Sequence, residues 1–447
     1  MFESILGALI SFLYAFYVYL TNIIYNTNLL EKIILVLPYL LFEFPFAVGM
    51  VIILTLKYFF GFFRKRKANY IPHVSTIITA YSEGEDVKKS IESILNQDYP
   101  GKLEIIVVVD GAKKNRVTYE VARRYEGNYP AKKRTVIVIP KWERGGRASS
   151  LNLGLNTAKG EIVMALDGDT SYDVDMVRNA VAHFWHKNVV AVSGNLRIRN
   201  WNKTLVTRFQ AIEYSISIYM AKQFLDAFGL LNNISGAFGI FRKDFLKSIG
   251  GWDAGTAEDL DLTLRIKKYK ALYPEIRLGF AEDAIGLTDG PETWRGILKQ
   301  RQRWDGDLVY LFFKKHKDAL NPTITGLKEA FYLYYASLFQ QFVLPVFVIL
   351  YYIKLFMKFS FIEVMAIIAF IYLIYALHTF VLMLFFTVVV SERKKWDVRL
   401  LPYTLLYPIY GFVLRANALI AYIDELFFDA HRRTGYVPPW VARKSKF

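Results

Sequence analysis

The sequence predicts an α/β domain on a mostly parallel sheet, set between apolar segments long enough to cross a membrane. Three observations carry this reading. Between about residues 68 and 320, continuous β-branched runs alternate with helical patterns, as strands covered on both faces do. The apolar residues are concentrated at the two ends of the chain. Basic clusters lie directly beside those apolar runs, where the positive-inside rule places cytoplasmic loops.

Of 447 residues, 54% are hydrophobic and 21% charged, with 56 Lys plus Arg against 40 Asp plus Glu for a formal net charge of +16. The apolar share exceeds the roughly 45–50% of soluble domains and excludes intrinsic disorder. With no cysteine, a disulfide scaffold, a thiolate zinc site and a cysteine nucleophile are excluded. The 6 histidines include no pair at zinc-ligand helical spacing. The basic clusters lack the interleaved aromatics of an RNA-binding surface, so no nucleic-acid partner is expected.

Residues 4–30 carry no formal charge, and residues 33–60 are interrupted only by Glu43 and Lys57. Each run can span a hydrocarbon core of about 30 Å. The first is too long for a signal peptide and lacks its basic start and small-residue cleavage site. Residues 64–67 (RKRK) close the second, so residues 1–67 read as two crossings and a basic junction. Residues 68–320 then form a cytoplasmic domain. Two further spans, 330–354 and 362–390, make up residues 321–390, and 391–395 (SERKK) marks a cytoplasmic return. In the last part, 391–447, the apolar stretch 398–428 holds Pro402, Pro408 and Arg415. It reads as a fifth span, a re-entrant segment or an interfacial helix. The basic tail favours a cytoplasmic end.

Within the domain, residues 74–79 (VSTIIT) form a strand, and the polar turn 81–86 leads to a helix with Val87, Ile91 and Ile94 on one face. Residues 103–109 (LEIIVVV) form the next strand, ending in Asp110-Gly111. Residues 135–139 precede Arg144-Gly-Gly-Arg147 and a helix through Leu151 and Leu155. Residues 161–166 form a strand ending in Asp167-Gly-Asp169. Ligands of such sheets collect beyond the C-terminal strand ends, where Tyr81, Asp110 and Asp167 fall. Neither GxGxxG nor GxxxxGK[ST] is present, so dinucleotide and P-loop readings lack their phosphate cradles.

Two carboxylates projected from one tight turn, Asp167 and Asp169, suit a hard cation such as Mg²⁺ or Mn²⁺. Arg147 opens a helix whose N-terminus favours an anion. Together these groups suit a nucleotide diphosphate with its metal. Glu258 and Asp259 begin another helix, either complementing its dipole or supplying, through Asp259, a general base for an acceptor hydroxyl. Gln300, Arg303 and Trp304 fall at i, i+3 and i+4 on one helix face. That face offers a hydrogen-bonding amide, a cation for a departing phosphate and a flat platform for a sugar ring. Residues 204–228 and 293–313 read as amphipathic helices, the former either facing the core or lying on the bilayer. Glu43 and His378, inside apolar spans, line a channel or bond between helices.

Seven segments stand in order: ITAYSEGE (78–85), VVVDG (107–111), RGGRASSLNLGL (144–155), ALDGD (165–169), SGAFGIFRK (235–243), TAEDLDLT (256–263) and QRQRW (300–304). In these the sequence resembles the membrane-integrated family 2 glycosyltransferases of the processive polysaccharide synthase type. That group includes poly-N-acetylglucosamine, hyaluronan, chitin and cellulose synthases. The tail 440–444 (WVARK) is similar to the WGTR-type end of hyaluronan and chitin synthases, with Val and Ala replacing Gly and Thr.

The resemblance implies a GT-A (Rossmann-like) domain. Tyr81, Glu83 and Asp110 would hold the base and ribose of a UDP-sugar, with Ser82 standing where the family often has Asn. Arg147, in place of the usual Lys, would meet the diphosphate. Asp167 would contact the donor, Asp169 would ligate Mg²⁺ or Mn²⁺, and Asp259 would be the base. Arg303 would receive the leaving diphosphate. Gln300 and Trp304, with Ser235, Gly236 and Glu258, would receive the acceptor end. It further implies a single inverting displacement giving a β-linked polymer, extruded across the plasma membrane amid membrane lipids, with room for a small membrane accessory subunit. The competing expectation is transfer of one sugar to a lipid or lipid-linked acceptor.

Overall fold

The computed structural model describes residues 39–62, 69–253 and 255–433, with the isolated positions Ser11, Tyr14, Val18 and Thr21. The expected first span (4–30), the basic junction 64–67 and the tail motif 440–444 therefore lie outside the described residues or nearly so.

Among the described residues, nine strands form one sheet: β1 (Val74–Ala80), β2 (Leu103–Asp110), β3 (Gly127–Tyr129), β4 (Arg134–Lys141), β5 (Ile162–Asp167), β6 (Ser171–Tyr172), β7 (Val189–Ile198), β8 (Phe238–Arg242) and β9 (Arg277–Thr288), in the order β3-β4-β2-β1-β5-β8-β7-β9-β6. The β4-β2-β1-β5 block is parallel. β8 then runs against both β5 and β7, while β9 runs parallel to β7. The sheet is therefore mixed, where the sequence predicted one that was mostly parallel. The reversal comes with β8, which brings the 235–243 segment back along β5.

Every residue of β1 and β2 is buried, which explains their largely apolar and β-branched sequences; the buried Glu104 accepts from the Ser75 hydroxyl at 2.6 Å. The helices bearing on the site are α1 (Phe44–Phe60), α2 (Val87–Leu95), α3 (Arg147–Thr157), α4 (Met176–Ala182) and α5 (Leu205–Glu213). They continue with α6 (Ala221–Ala227), α7 (Glu258–Leu272), α8 (Trp294–Tyr310), α9 (Phe361–Phe385) and α10 (Tyr407–Phe428). Val87, Ile91 and Ile94 of α2 pack with Met176 and Val177 of α4 on one side of the sheet. On the other, Leu151 and Leu155 of α3 and Phe209 and Ile212 of α5 join a core that reaches Met50 and Leu54 of α1 and Met383 of α9. The apolar interior of the α/β domain and the packing of the flanking helices are thus continuous.

Among the described residues, three helices are long and apolar enough to cross a membrane: Tyr39–Phe60, Leu327–Lys358 and Phe361–Val390. The segments Lys394–Leu405 and Tyr407–Phe428 form a pair bent by 72°, so the 398–428 stretch is a broken element instead of a straight span. Pro402 and Pro408 flank the break, and proline removes the helical hydrogen bonds there. Glu43 is bonded between helices, accepting from Arg415 at 2.5 Å and the Tyr375 hydroxyl at 3.1 Å. The ring nitrogen of His378 lies 3.0 Å from the Tyr39 hydroxyl.

The amphipathic 204–228 segment is helical, passing from α5 through a π-helical stretch, Tyr214–Met220, into α6. It faces the core and the flanking helices at once. Phe209 lies 5.4 Å from the Tyr410 ring, Tyr219 5.4 Å from Phe386, and Phe224 5.1 Å from Phe46. Lys57, at the end of α1, is buried and reaches Glu282 of β9 at 2.6 Å and Gln223 of α6 at 2.9 Å. Arg197 of β7 pairs with Asp397 and, at 2.7 Å, with Glu392. These ion pairs fix the domain against both sets of apolar helices.

Candidate active site

The parallel register sets the site. Ala80 of β1 stands opposite Val109 of β2, and Thr79 opposite Asp167 of β5. Tyr81, Asp110 and Asp167 therefore leave the sheet side by side at one edge.

Asp110 is turned inward. Its two oxygens accept the backbone N–H groups of Gly145 and Gly146, each at 2.9 Å, and Lys141 Nζ lies 2.9 Å away. This carboxylate shapes the Arg144-Gly-Gly-Arg147 loop, which a φ of +83° at Gly146 lets turn into α3; L-residues rarely occupy that region. The loop places the Arg144 guanidinium 4.1 Å from the Tyr81 ring centroid, a cation–π contact.

Arg147, first residue of α3, gathers the next group. It donates to Asp167, to the Gly236 carbonyl at 2.7 Å and to Glu258 at 2.7 Å. Burial opposes its charge, but the Asp167 and Glu258 carboxylates overcome it and raise its pKa. Burial raises Glu258, with Arg147 acting against that rise. The single guanidinium thus joins the end of β5, the turn before β8 and the start of α7.

Asp259 is anchored by Gly236 N–H to Oδ2 at 3.0 Å and by Leu260 N–H to Oδ1 at 2.8 Å. A Cβ on Gly236 would sit 3.2 Å from Asp259 Oδ2, so the glycine permits this close approach. Ser235 N–H is bonded to Ser193 Oγ at 3.3 Å. Ahead of the helix, Ala257 adopts φ +52°, an αL conformation that costs a non-glycine residue about 1–2 kcal/mol. Thr256 donates its hydroxyl to Asp307 of α8, which fastens the 256–259 segment to the helix carrying residues 300–304.

On α8, Arg301 lies 4.2 Å from the Trp304 ring centroid and donates to Glu213 at 2.8 Å. Trp304 is 36% exposed. Gln300 Oε1 is buried without a hydrogen-bond partner. Arg303 acts electrostatically on Asp307, whose carboxyl burial pushes up to about 7. Helix α8 packs along α10, where Gln302 and the Leu298 carbonyl each meet the Asn417 amide at 3.0 Å.

Glu83, Asp167 and Asp169 form the acidic side. Burial pushes Glu83 up to about 7, and the charges of Asp169 and Asp167 add to it. Its Oε2 is buried with no hydrogen-bond partner. Burial, then Asp167, also raises Asp169. Three oxygen-bearing groups on one side of the site, one with an orphaned oxygen, fit a divalent cation with hard-ligand preferences.

Direct contact thus links Arg147, Asp167, Gly236 and Glu258, with Asp259 held by the same Gly236. The described contacts keep Asp110 and Tyr81 with the 144–147 loop. Sequence reasoning missed Lys141, Ser193, Lys222 and Arg301. Lys222 had a signal: it stands three residues after Tyr219 and three before Leu225, a charge on an otherwise apolar stripe. Strands β7, β8 and β9 were also missed.

Comparison with known proteins gives a family match over the domain. The description "Glycosyltransferase like family 2" matches residues 72–306. A poly-beta-1,6-N-acetyl-D-glucosamine synthase of Staphylococcus epidermidis is 32% identical over 243 residues, 54% of this chain and 55% of that protein. The synthase of the same name from Staphylococcus aureus is 31% identical over 235 residues, 52% of this chain and 53% of its own length. The chain therefore aligns with about half the length of these curated relatives. A solved structure, mannosyltransferase PcManGT from Pyrobaculum calidifontis in complex with GDP-Man and Mn²⁺, has 19% identity and a TM-score of 0.49, covering 85% of this chain and 99% of that one. With the matched family spanning β1 through the QRQRW segment of α8, the chain belongs to glycosyltransferase family 2.

Proposed function

We propose that this chain is an inverting, metal-dependent, processive glycosyltransferase that polymerises a UDP-sugar into a β-linked polysaccharide and passes it across the plasma membrane. The observation that carries the reading is the fixed carboxylate of Asp259, held by Gly236 N–H at 3.0 Å beside the Arg147–Glu258 pair. N-Acetylglucosamine is the first donor sugar to test, because the relatives named above are poly-N-acetylglucosamine synthases.

Tyr81, Glu83 and Asp110 bind the uridine end and Asp167 the donor. Arg147 and Arg303 face the diphosphate, whose leaving charge needs positive partners aimed at it. Asp169 would hold the cation, and Mg²⁺ or Mn²⁺ there would supply Lewis-acid stabilisation of the departing diphosphate. The acceptor sugar rests on Trp304 with Gln300, Ser235, Gly236 and Glu258 around its end. Asp259 takes the proton of the acceptor hydroxyl as that oxygen bonds to the anomeric carbon. The bond to the diphosphate breaks on the opposite face, so the configuration inverts. No second carboxylic acid is required, since the diphosphate leaves without protonation.

The domain lies on the cytoplasmic side, the flanking helices cross the membrane, and the polymer leaves between them. A small membrane accessory subunit would join the flanking helices around the channel. The test is purified full-length protein with a panel of UDP-sugars and Mn²⁺, reading UDP release and product size. Polymer from one donor alone is the expected result. UDP release only on addition of a lipid acceptor would replace this reading with single-sugar transfer, and near-full turnover by Asp259→Asn would remove the base assignment.

A further inference from the structure

Lys222 is a buried ammonium on α6, 3% exposed. Its Nζ donates to Ser193 Oγ at 3.1 Å and to the Asn233 carbonyl at 3.0 Å. Neither partner carries charge. Taking an ammonium out of water without a carboxylate beside it is costly, and burial pushes Lys222 down to about 8, with the charge of Asp259 opposing the fall.

Both partners belong to the support of Asp259. Ser193 Oγ also accepts Ser235 N–H at 3.3 Å. The Asn233 side-chain amide reaches Asp259 Oδ2 at 3.5 Å, and Gly236 N–H reaches the same oxygen at 3.0 Å. The turn 233–236 therefore touches Lys222 on one side and Asp259 on the other. Ile234 N–H adds a third tie, to Thr263 Oγ1 of α7 at 2.9 Å.

We propose that Lys222 is a positioning residue for glycosyl transfer, locking the 233–236 turn from behind so that Gly236 N–H and the Asn233 amide hold Asp259 in place. This rests on the reading of Asp259 as the base. Arg147, on the other side, is already shared between Asp167 and Glu258, so the turn itself depends on the contacts of Lys222 and Ser193.

The experiment compares full-length wild type with Lys222→Met, Lys222→Arg and Ser193→Ala, measuring kcat and KM for UDP release and the affinity for UDP. Lys222→Met is expected to lower kcat at pH 7 about tenfold, because the base is no longer held in line with the acceptor. UDP affinity stays within about twofold, because the donor groups are untouched. Lys222→Arg returns part of kcat, since it can still donate to the Ser193 hydroxyl and the Asn233 carbonyl. Ser193→Ala cuts the tie to Ser235, so kcat falls several-fold. Unchanged kcat in Lys222→Met or in Ser193→Ala overturns the positioning role, and an equal loss of UDP affinity in Lys222→Met would mark a general structural effect and overturn it too. Should Lys222→Met not fold, Lys222→Arg and Ser193→Ala still decide: wild-type turnover in both overturns the inference. Asp259→Asn run in parallel separates the two readings. If it stays active the base assignment fails; if it is inactive while the Lys222 and Ser193 variants match wild type, only the present inference fails.

Discussion

Arg147 Nε stands 2.7 Å from Glu258 Oε1, and the same guanidinium donates to Asp167 and to the Gly236 carbonyl at 2.7 Å. One side chain thus closes a ring between the end of β5, the turn before β8 and the start of α7. The arrangement exploits the planar fork of arginine, which lysine lacks.

Arg147→Met should therefore damage stability as well as catalysis. It strands the largely buried Glu258 and Asp167 without their cation, a loss of about 3–5 kcal/mol where a buried pair is broken on one side. Arg147→Lys should fold but satisfy fewer of the three acceptors at once, lowering kcat/KM for the donor by about tenfold. Thermal unfolding and UDP-release kinetics on the two variants check both parts. A Lys variant with wild-type kinetics would show that the fork geometry is not used.

Glu83 yields a pH prediction with a definite sign. Its pKa is raised from the ordinary 4.5 to about 7, chiefly by burial. The folded protein therefore favours the protonated form. That contribution is fully present below about pH 4.5 and is lost as the pH rises through 7. Glu83→Gln keeps the neutral form throughout. In metal-free protein without donor, the variant should melt higher than wild type at pH 8 and alike at pH 5. Equal melting temperatures at both values would refute this.

The sheet was legible in its parallel block. β1, β2, β4 and β5 were found because each is a β-branched or largely apolar run beside turn residues, and the carboxylates ending β2 and β5 followed from strand direction alone. β9 was missed because Glu282 and Asp283 interrupt its centre, and Glu282 is satisfied by Lys57, 225 residues away. β8 was hidden behind the small residues of SGAFG, whose reason is the close approach of Gly236 to Asp259. The motif residues were recognisable by type, yet their division of labour was not. Asp110 faces a loop and a lysine in the fold, while Arg301, indistinguishable from Arg303 in the string QRQRW, stacks on Trp304.

Lys57 and Glu282 should behave as a coupled pair. At 2.6 Å, with side chains 10% and 17% exposed, each loses its counter-ion if the other is replaced. Lys57→Met and Glu282→Leu should each destabilise the protein by about 3–5 kcal/mol. The double variant should be closer to wild type than the sum of the two, because neither charge is then stranded. Chemical denaturation in detergent on the four proteins gives the coupling. Strict additivity would mean that the contact between α1 and β9 carries no energy.

The proposed metal dependence predicts an effect at one carboxylate. Chelation should abolish UDP release, and Mn²⁺ or Mg²⁺ should restore it. Asp169→Asn keeps the size of the side chain but removes the charge, so half-maximal activity should need at least about tenfold more Mn²⁺. Titration of turnover against Mn²⁺ for both proteins tests the assignment. If Asp169→Asn shows an unchanged Mn²⁺ requirement, the cation is held elsewhere.

The proposed acceptor role of Trp304 predicts that chain growth can be separated from the transfer step. It is 36% exposed, and its ring is backed by the Arg301 guanidinium 4.2 Å away, itself held by Glu213 at 2.8 Å. This buttress leaves the ring free to stack on a sugar while fixing its angle. Trp304→Ala should lower polymer length and total turnover together, because an acceptor end without its platform dissociates between additions. Trp304→Phe keeps a smaller flat surface and should preserve turnover better than length. Glu213→Gln loosens the buttress without touching the ring and should shorten the product at near-normal UDP affinity. Product sizing by gel filtration, alongside UDP release, distinguishes these outcomes. Wild-type product length from Trp304→Ala would mean that the growing end is held by other residues of the site.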